Sequence, residues 1–162
     1  MKSLFQKKFT TRQIIFLIFL ILFFGSFLVL RVWPDRLQTA QVEINGEIVS
    51  VWLAQTLSQQ YKGLGGRQEL GRNQGMLFIF SSAKQHAFVM RAMRFSIDIV
   101  WINNGVIVDI APNVEPEPGV EETELRRYYP RVKANIVLEL PASWTKEHMV
   151  KIGDGVILYN SV

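Results

Sequence analysis

Residues 97–111 read IDIVWINNGVIVDIA, two apolar runs on either side of Asn104-Gly105. Asn-Gly is the dipeptide that two-residue hairpin turns favour, because both turn positions need a positive φ. With those residues in the turn, Trp101 faces Val108 and the apolar side chains alternate along both strands. The stretch therefore predicts a β-hairpin, and it is the clearest element of the chain.

Similar patterns recur on both sides of this hairpin. Asn45-Gly46 predicts a second hairpin within residues 41–54, and Thr56 with Gln59 fits a capping box for a short helix that stops at Gly63. Further strands are predicted at 76–80, 86–90, 135–140 and 155–159, and a second short helix from an N-cap at Ser143 to near Gly153. We predict an α+β, mostly β domain, compact, with a barrel-like or strongly curved antiparallel or mixed sheet and two short helices.

The N-terminal stretch is of a different kind. Residues 13–30 carry no charge and lie between Arg12 and Arg31. A helix of that length covers roughly 27 Å, close to the ~30 Å hydrocarbon core of a bilayer. We therefore predict one transmembrane helix ahead of the domain, with residues 1–12 a basic cytoplasmic segment, 13–31 the anchor, 32–40 a tether and 41–162 the exported domain.

Charge sets the predicted orientation of that anchor. The first twelve residues carry four basic side chains and no acid. The positive-inside rule then keeps the N-terminus in the cytoplasm and places the domain on the extracytoplasmic side of the inner membrane. A cleaved signal peptide is the alternative, but Arg31, Trp33 and Pro34 occupy the place of a small-residue cleavage site.

The net charge of +4 is unevenly distributed. Five of the 18 basic residues lie at or before Arg31 while all 14 acids follow it, so the body has 13 basic and 14 acidic residues. A net charge of −1 gives no basic face for nucleic acid, and we expect no nucleic-acid partner. The chain has no cysteine, which excludes disulfides and thiolate chemistry.

Several motifs resemble one family. They are LAQTLSQQYKGLGGR at 53–67, GMLFIF at 75–80, FVMRAMRFSIDIVWI at 88–102, VLELPA at 137–142 and KIGDGV at 151–156. In this order they are similar to the domain-of-unknown-function family numbered 192, over residues 41–160. The resemblance implies a compact, mostly-β domain, often exported behind a signal or anchor segment, with no settled activity.

The chain departs from the family pattern within the segment expected to line a pocket. Gly65 stands where the family has methionine, and Val89, Ala92, Met93 and Ser96 stand where it has Trp, Asn, Thr and Pro. These replacements remove polar and aromatic groups. A ligand shared by the family would therefore be bound differently here, or not at all.

Two aspartates are the first candidate site. In the predicted register Asp98 and Asp109 are diagonal neighbours on one face of the hairpin, roughly 7 Å apart. Paired carboxylates can divide acid and base roles or hold a hard cation. Asp98 also matches the family's aspartate, while a solvated face or a salt bridge to Arg91 or Arg94 is the structural alternative.

Other candidates are weaker. Arg67 would clamp a carboxylate or phosphate, or pair with a structural acid. His86, Met90 and Met93 are soft ligands suited to Cu(I), although Met93 falls on the other strand face and methionine more often fills a core. No complete catalytic set is present.

These observations lead to one functional prediction with two alternatives. We predict a non-catalytic envelope module whose pocket near Asp98, Arg67, Met90, Arg91 and Asp109 binds a small polar ligand or a partner protein, with no cofactor and no metal. The first alternative is an envelope hydrolase using Asp98 and Asp109. The second is a Cu(I)-binding domain.

Overall fold

The computed structural model describes residues 10–32 and 37–160, and its contacts divide the chain into two units, with the boundary before Leu37. The first unit contains helix α1, Thr11–Val32. Over the described part of the chain, no helix combines the length and the apolar character that crossing a membrane requires. Residues 1–9 of the predicted basic segment, and residues 33–36 of the predicted tether, lie outside the described residues.

The second unit is built on one seven-stranded sheet, in the order β5-β4-β6-β3-β2-β1-β7. Its elements are β1 Gln38–Ile44, β2 Glu47–Ala54, α2 Leu57–Lys62, β3 Gln74–Lys84, β4 Ile97–Asn103, β5 Val106–Val114, β6 Ala134–Pro141, α3 Trp144–Glu147 and β7 Val156–Asn160, with a 3-10 turn at Glu122–Glu124. Strands β2 and β3 pair in parallel and all other neighbours pair antiparallel. The prediction of a mostly-β, α+β domain with a curled mixed sheet is confirmed.

The parallel pair explains the chain between β2 and β3. Parallel neighbours need a crossover connection, and here α2 and the glycine-rich residues 63–73 supply it. Helix α2 begins with the predicted capping box: Thr56 Oγ1 accepts from Gln59 N–H at 3.2 Å, and Gln59 Oε1 accepts from Thr56 N–H at 3.1 Å. Gly63 ends it with a φ of 51°, so both predicted helix boundaries are confirmed.

Two apolar clusters lie on the two faces of the sheet. The Leu138 cluster contains Val42, Ile44, Val49, Val51, Val100, Ile102, Leu138, Leu140 and Trp144 among its buried members. The Phe78 cluster contains Leu64, Met76, Phe78, Phe88, Met90, Ile97, Ile99, Trp101 and Val137 among its own. Successive side chains of the central strands β4 and β6 point alternately into the two clusters. Both faces of these strands are therefore buried, which accounts for their nearly continuous apolar sequence.

The central hairpin differs from the predicted register. Ile102 pairs with Ile107 as expected, but Trp101 pairs with Asp109 rather than with Val108. Val108 is the extra residue of a β-bulge, which shifts the pairs of Trp101, Val100 and Ile99 by one and so moves Asp109 to the face of Trp101. A second irregularity shifts Ile97 by one more residue, onto Val114. A turn motif cannot signal this insertion.

Two other predicted elements need correction. The predicted strand at 86–90 is a single bridge, in which Phe88 and Tyr128 exchange N–H···O bonds of 2.9 and 2.8 Å. The C-terminal helix ends at Glu147 rather than near residue 153. Ser143 does not cap it through its side chain, because that hydroxyl donates to Asn113 Oδ1 at 2.8 Å and the residue adopts a φ of 67°.

A short seam joins the two ends of the curled sheet. Ile107 N–H donates to Asp154 O at 2.9 Å, and Val156 N–H donates to Gly105 O at 2.8 Å. The β4–β5 hairpin tip is thereby fastened to the residues that precede β7.

Candidate functional site

A cavity of about 660 Å³ opens over the Phe78 cluster. Its walls come from α2 and the glycine-rich crossover, from β3, from the connection between β3 and β4, and from the connection between β5 and β6. The volume lies within the roughly 300–1,000 Å³ typical of small-molecule sites. We call this space the Glu139 cavity, after the acid on β6 that lines it.

One wall of the Glu139 cavity is aromatic. The rings of Phe78 and Phe88 meet edge to face with centroids 4.9 Å apart, and Phe80 stacks on His86 with centroids 3.7 Å apart. His86 is fixed further by a 3.0 Å contact between Nε2 and Ser82 O. This wall offers flat apolar surface to the body of a bound molecule.

The rim of the cavity carries a charged triad. Arg91 Nη2 lies 2.8 Å from Glu122 Oε1, Arg91 Nη1 donates to Tyr61 O at 2.7 Å, and the Tyr61 hydroxyl donates to Glu122 at 2.9 Å. The Arg91 guanidinium also lies over the Tyr61 ring, 3.8 Å from its centroid. Arg91 thus fastens α2 to the 3-10 turn at Glu122–Glu124.

Hydrogen bonding within this triad shifts two of its groups. Bonds from Arg91 first, and from Tyr61 second, lower the pKa of the Glu122 carboxyl. The bond to that carboxylate in turn raises the pKa of the Tyr61 hydroxyl. Each shift favours an ionised Glu122 that accepts from both neighbours.

Glu139 is the unusual group of the cavity. Its side chain is 6% exposed, and Oε2 has no hydrogen-bond partner among the described residues. Burial raises the pKa of its carboxyl to about 8. A buried carboxyl without a cation beside it is expected to stay protonated at neutral pH, because desolvation penalises the charged form.

The sheet fixes the position of Glu139. It lies on β6 between β3 and β4, opposite Met76 on one side and Ile99 on the other. Both partners belong to the Phe78 cluster, so the Glu139 side chain points to the same face. Gly75 permits the close packing here, since a Cβ at that position would lie 2.7 Å from Glu139 O.

Asp98 is enclosed rather than open to a ligand. It is 0% exposed, and its carboxylate accepts from the N–H groups of Asn113 at 2.8 Å, Ser143 at 3.0 Å and Thr145 at 2.9 Å, and from the Thr145 hydroxyl at 2.6 Å. These bonds tie β4 to the end of β5 and to the start of α3. The structure does not support a pocket that opens at Asp98.

Asp109 is also engaged inside the fold. Arg131 contacts Oδ1 through Nη2 at 2.6 Å and through Nε at 3.0 Å, and Arg131 N–H donates to Oδ2 at 2.6 Å. Burial opposes ionisation, but the hydrogen bonds from Arg131 and from the Ile110 N–H outweigh it and lower the pKa of Asp109.

The expectation that Asp98 and Asp109 are diagonal neighbours on one face is wrong. Asp98 alternates with Val100 and Ile102 of the Leu138 cluster, whereas Asp109 is paired with Trp101 of the Phe78 cluster. The bulge at Val108 separates them onto opposite faces. The paired-carboxylate hydrolase therefore loses the geometry on which it was based.

The remaining predicted residues are divided between the cavity and the rest of the fold. Arg91 lines the cavity, Met90 is buried beneath it in the Phe78 cluster, and Arg67 stacks on Trp52 with its guanidinium carbon 3.8 Å from the ring centroid. His86 and Met93 line the cavity without Met90, so the three proposed copper ligands are not gathered at its surface. Within residues 10–32 and 37–160, no three His, Asp or Glu side chains are grouped to hold a metal ion.

Sequence reasoning missed Glu139, although a signal was present. The strand ANIVLELP places one acid in an otherwise apolar run of the kind that is buried on both faces of a central strand. Glutamate is almost never fully buried without a partner, so an acid in such a run marks a candidate site.

Comparisons with known proteins agree with this fold. The family model DUF192, described as Uncharacterized ACR, matches residues 40–158. A crystal structure of a putative transcription regulator from Sinorhizobium meliloti is similar at 25% identity and a TM-score of 0.68, over 77% of this chain and 97% of that one. A protein of unknown function from Novosphingobium aromaticivorans is similar at 26% identity and a TM-score of 0.65, over 78% of this chain and 88% of that one. No curated protein matches the chain.

Proposed function

The chain belongs to the DUF192 family, and from that premise we propose that its domain is a binding module that takes a small organic molecule into the Glu139 cavity. The family itself is described as uncharacterized, so the proposal rests on the cavity of this chain. The proposed site lies on the opposite face of β4 and β6 from Asp98, near which the sequence analysis predicted the pocket.

The observation that carries the proposal is the unpartnered Oε2 of Glu139. A buried polar atom without a partner destabilises a fold by roughly 1–3 kcal/mol. Such a group calls for an explanation, and a role in binding is one. Here Glu139 lines a cavity whose other wall is the aromatic surface of Phe78, Phe80 and Phe88, which suits a molecule with an apolar body and one polar group.

Binding rather than catalysis fits the groups around Glu139. Arg91, Tyr61 and Glu122 are engaged with one another at the rim. The other two predicted acids, Asp98 and Asp109, are held by hydrogen bonds elsewhere in the fold. A role in transcription, which the name of one structural relative suggests for that protein, gains no support from a body with 13 basic and 14 acidic residues.

The test fills the cavity without disturbing the core. Ala87 lines it and is exposed, so Ala87→Trp places an indole at its opening. Ser81→Trp, on an exposed position of β3 outside the lining, is the matched control. Full-length protein is screened by ligand-detected NMR against small neutral, cationic and anionic aromatic compounds.

We expect binders to interact with wild type and with Ser81→Trp but to lose most of their affinity for Ala87→Trp. Equal binding to both tryptophan variants would place the site elsewhere. A screen without a single binder would refute the proposed function.

We also propose that residues 13–31 attach the domain to the inner membrane, with the N-terminus in the cytoplasm and the domain in the cell envelope. Large apolar side chains are exposed along the described part of α1, among them Ile14, Phe16, Phe19, Leu22 and Phe24. Four basic residues precede residue 13 without an acid, which supports the orientation. In fractionated cells, we expect the protein in the carbonate-washed membrane pellet and its domain to be cut by protease added to spheroplasts. A freely soluble intact protein would overturn this topology.

A further inference from the structure

The charges that line the Glu139 cavity are unequal. Arg91 and Glu122 pair with each other across 2.8 Å and leave no net charge between them. Lys62 and Arg127 also line the cavity and are exposed, and no ion pair within the described residues includes either of them. A ligand therefore enters past two cations that no carboxylate neutralises, which raises the local concentration of anions.

Glu139, at the base of the cavity, also favours an anionic ligand. Glu139 is deeply buried, no cation is paired with it among the described residues, and burial raises the pKa of its carboxyl to about 8. In its protonated form a carboxyl presents an O–H donor to the cavity. Such a group is best satisfied by an acceptor oxygen, and an ionised acceptor forms the shorter and stronger bond.

Aromatic rings alone do not reverse this preference. The faces of Phe78, Phe80 and Phe88 can attract a cation. A cationic ligand would, however, pass Lys62 and Arg127 and would have to displace the Glu139 proton before an ion pair could form. The aromatic wall is then better used as apolar surface.

We infer that the ligand of the Glu139 cavity is a small organic monoanion, with an apolar body against Phe78, Phe80 and Phe88 and an acid group that accepts a hydrogen bond from Glu139. This inference rests on the proposed function and names the class of molecule bound. The Glu139 proton is shared with the ligand's acid group, so binding requires that Glu139 be protonated.

Other titratable groups face the same space and must be separated from Glu139 in any pH experiment. They are Tyr61 and Lys62 from α2, His86 and Arg91 from the β3–β4 connection, and Glu122 and Arg127 from the β5–β6 connection. Glu139→Gln keeps all six of them and retains an N–H donor at the base of the cavity. Any pH dependence that disappears in this variant therefore belongs to Glu139.

The probes are phenylacetate, 2-phenylethylamine and phenylacetamide, which share one aromatic body and differ in charge. Titrated into the full-length protein at about pH 7, phenylacetate is expected to bind at least about tenfold tighter than the amine. With a pKa of about 8, Glu139 goes from about nine-tenths protonated at pH 7 to about one-tenth at pH 9, so phenylacetate should bind about tenfold more weakly at the higher pH. In Glu139→Gln the two pH values should give the same affinity.

A second pair of variants reports on charge without touching Glu139. Lys62→Gln and Arg127→Gln should weaken phenylacetate and leave phenylacetamide unchanged. Preference for the amine or the amide, or the same pH dependence in wild type and Glu139→Gln, would overturn the monoanion inference while the proposed function stands. If none of the three probes enters the cavity and the wider screen also fails, both are refuted.

Discussion

Replacing Glu139 by Gln is expected to change how the stability of the domain depends on pH. Burial raises the pKa of this carboxyl from its ordinary 4.5 to about 8 in the folded state. Below 4.5 the group is protonated in both folded and unfolded chains, and its pH-dependent contribution to the stability is then fully present. As pH rises, the unfolded chain loses the proton first, so the favourable contribution of the neutral group declines until the folded pKa is passed.

The size of this effect follows from the two pKa values. A difference of one in pKa corresponds to about 1.4 kcal/mol, so the full gap between 4.5 and about 8 corresponds to roughly 5 kcal/mol. Between about pH 5 and about pH 8.5 the wild-type free energy of unfolding should fall by about 4 kcal/mol through Glu139 alone. The Gln variant has no titratable group at this position. Any hydrogen bond that it gains or loses there changes its free energy of unfolding by the same amount at every pH.

The assay is urea unfolding of the full-length protein at several pH values, followed by far-UV circular dichroism. Glu69→Gln, a substitution of the same chemistry at an exposed site, is the control and should follow wild type. We expect the Glu139→Gln curve to diverge upward from wild type as pH rises. Parallel curves across that range would refute both the burial argument and the protonated state on which the ligand inference depends.

Three further predictions concern residues outside the cavity. Asp98→Ala should lower the free energy of unfolding by about 3 kcal/mol in denaturant titrations, since four donors lose their buried acceptor. A decrease of less than about 0.5 kcal/mol would contradict the structural role of Asp98. Asp109 has a lowered pKa, so its contribution is present above its unfolded pKa and is lost as pH falls through the folded value. Arg131→Met should therefore bring the acid unfolding transition to a higher pH, and coincident acid titrations would show that the ion pair contributes nothing. Ala92 adopts a φ of 51°, so Ala92→Gly should raise the melting temperature, by an amount corresponding to about 1 kcal/mol, whereas a fall would show that the strain is not released.

Local turn and capping chemistry explains which parts of the fold were predictable. The Asn-Gly turns at 45–46 and 104–105 and the Thr56–Gln59 capping box were all read correctly, because each depends on neighbours in sequence. The Val108 bulge was missed because it depends on how β4 and β5 curve within the whole sheet. That single insertion was enough to misplace Asp98 relative to Asp109.

The candidate site was harder to predict because its parts are distant in sequence. Glu139 meets the aromatic wall only through the pairing of β6 with β3, and Arg91 meets Glu122 only through the folding of two long connections. The family departures were partly informative. Ala92 takes a left-handed φ where the family's asparagine is better tolerated, and a Cβ at Gly65 would lie 2.8 Å from Arg91 O, so this chain has no room there for the family's methionine.

Strand order also dictates when the domain can finish folding. The first strand, β1, lies between β2 and the last strand, β7, and Val42 pairs with both Val49 and Leu158. The second edge of β1 is therefore paired only after β7, which lies more than 100 residues later in the sequence, has folded back onto it. Until β7 has paired, that edge of β1 presents unpaired N–H and C=O groups, so the interval before β7 docks is when the domain is most open to edge-to-edge association.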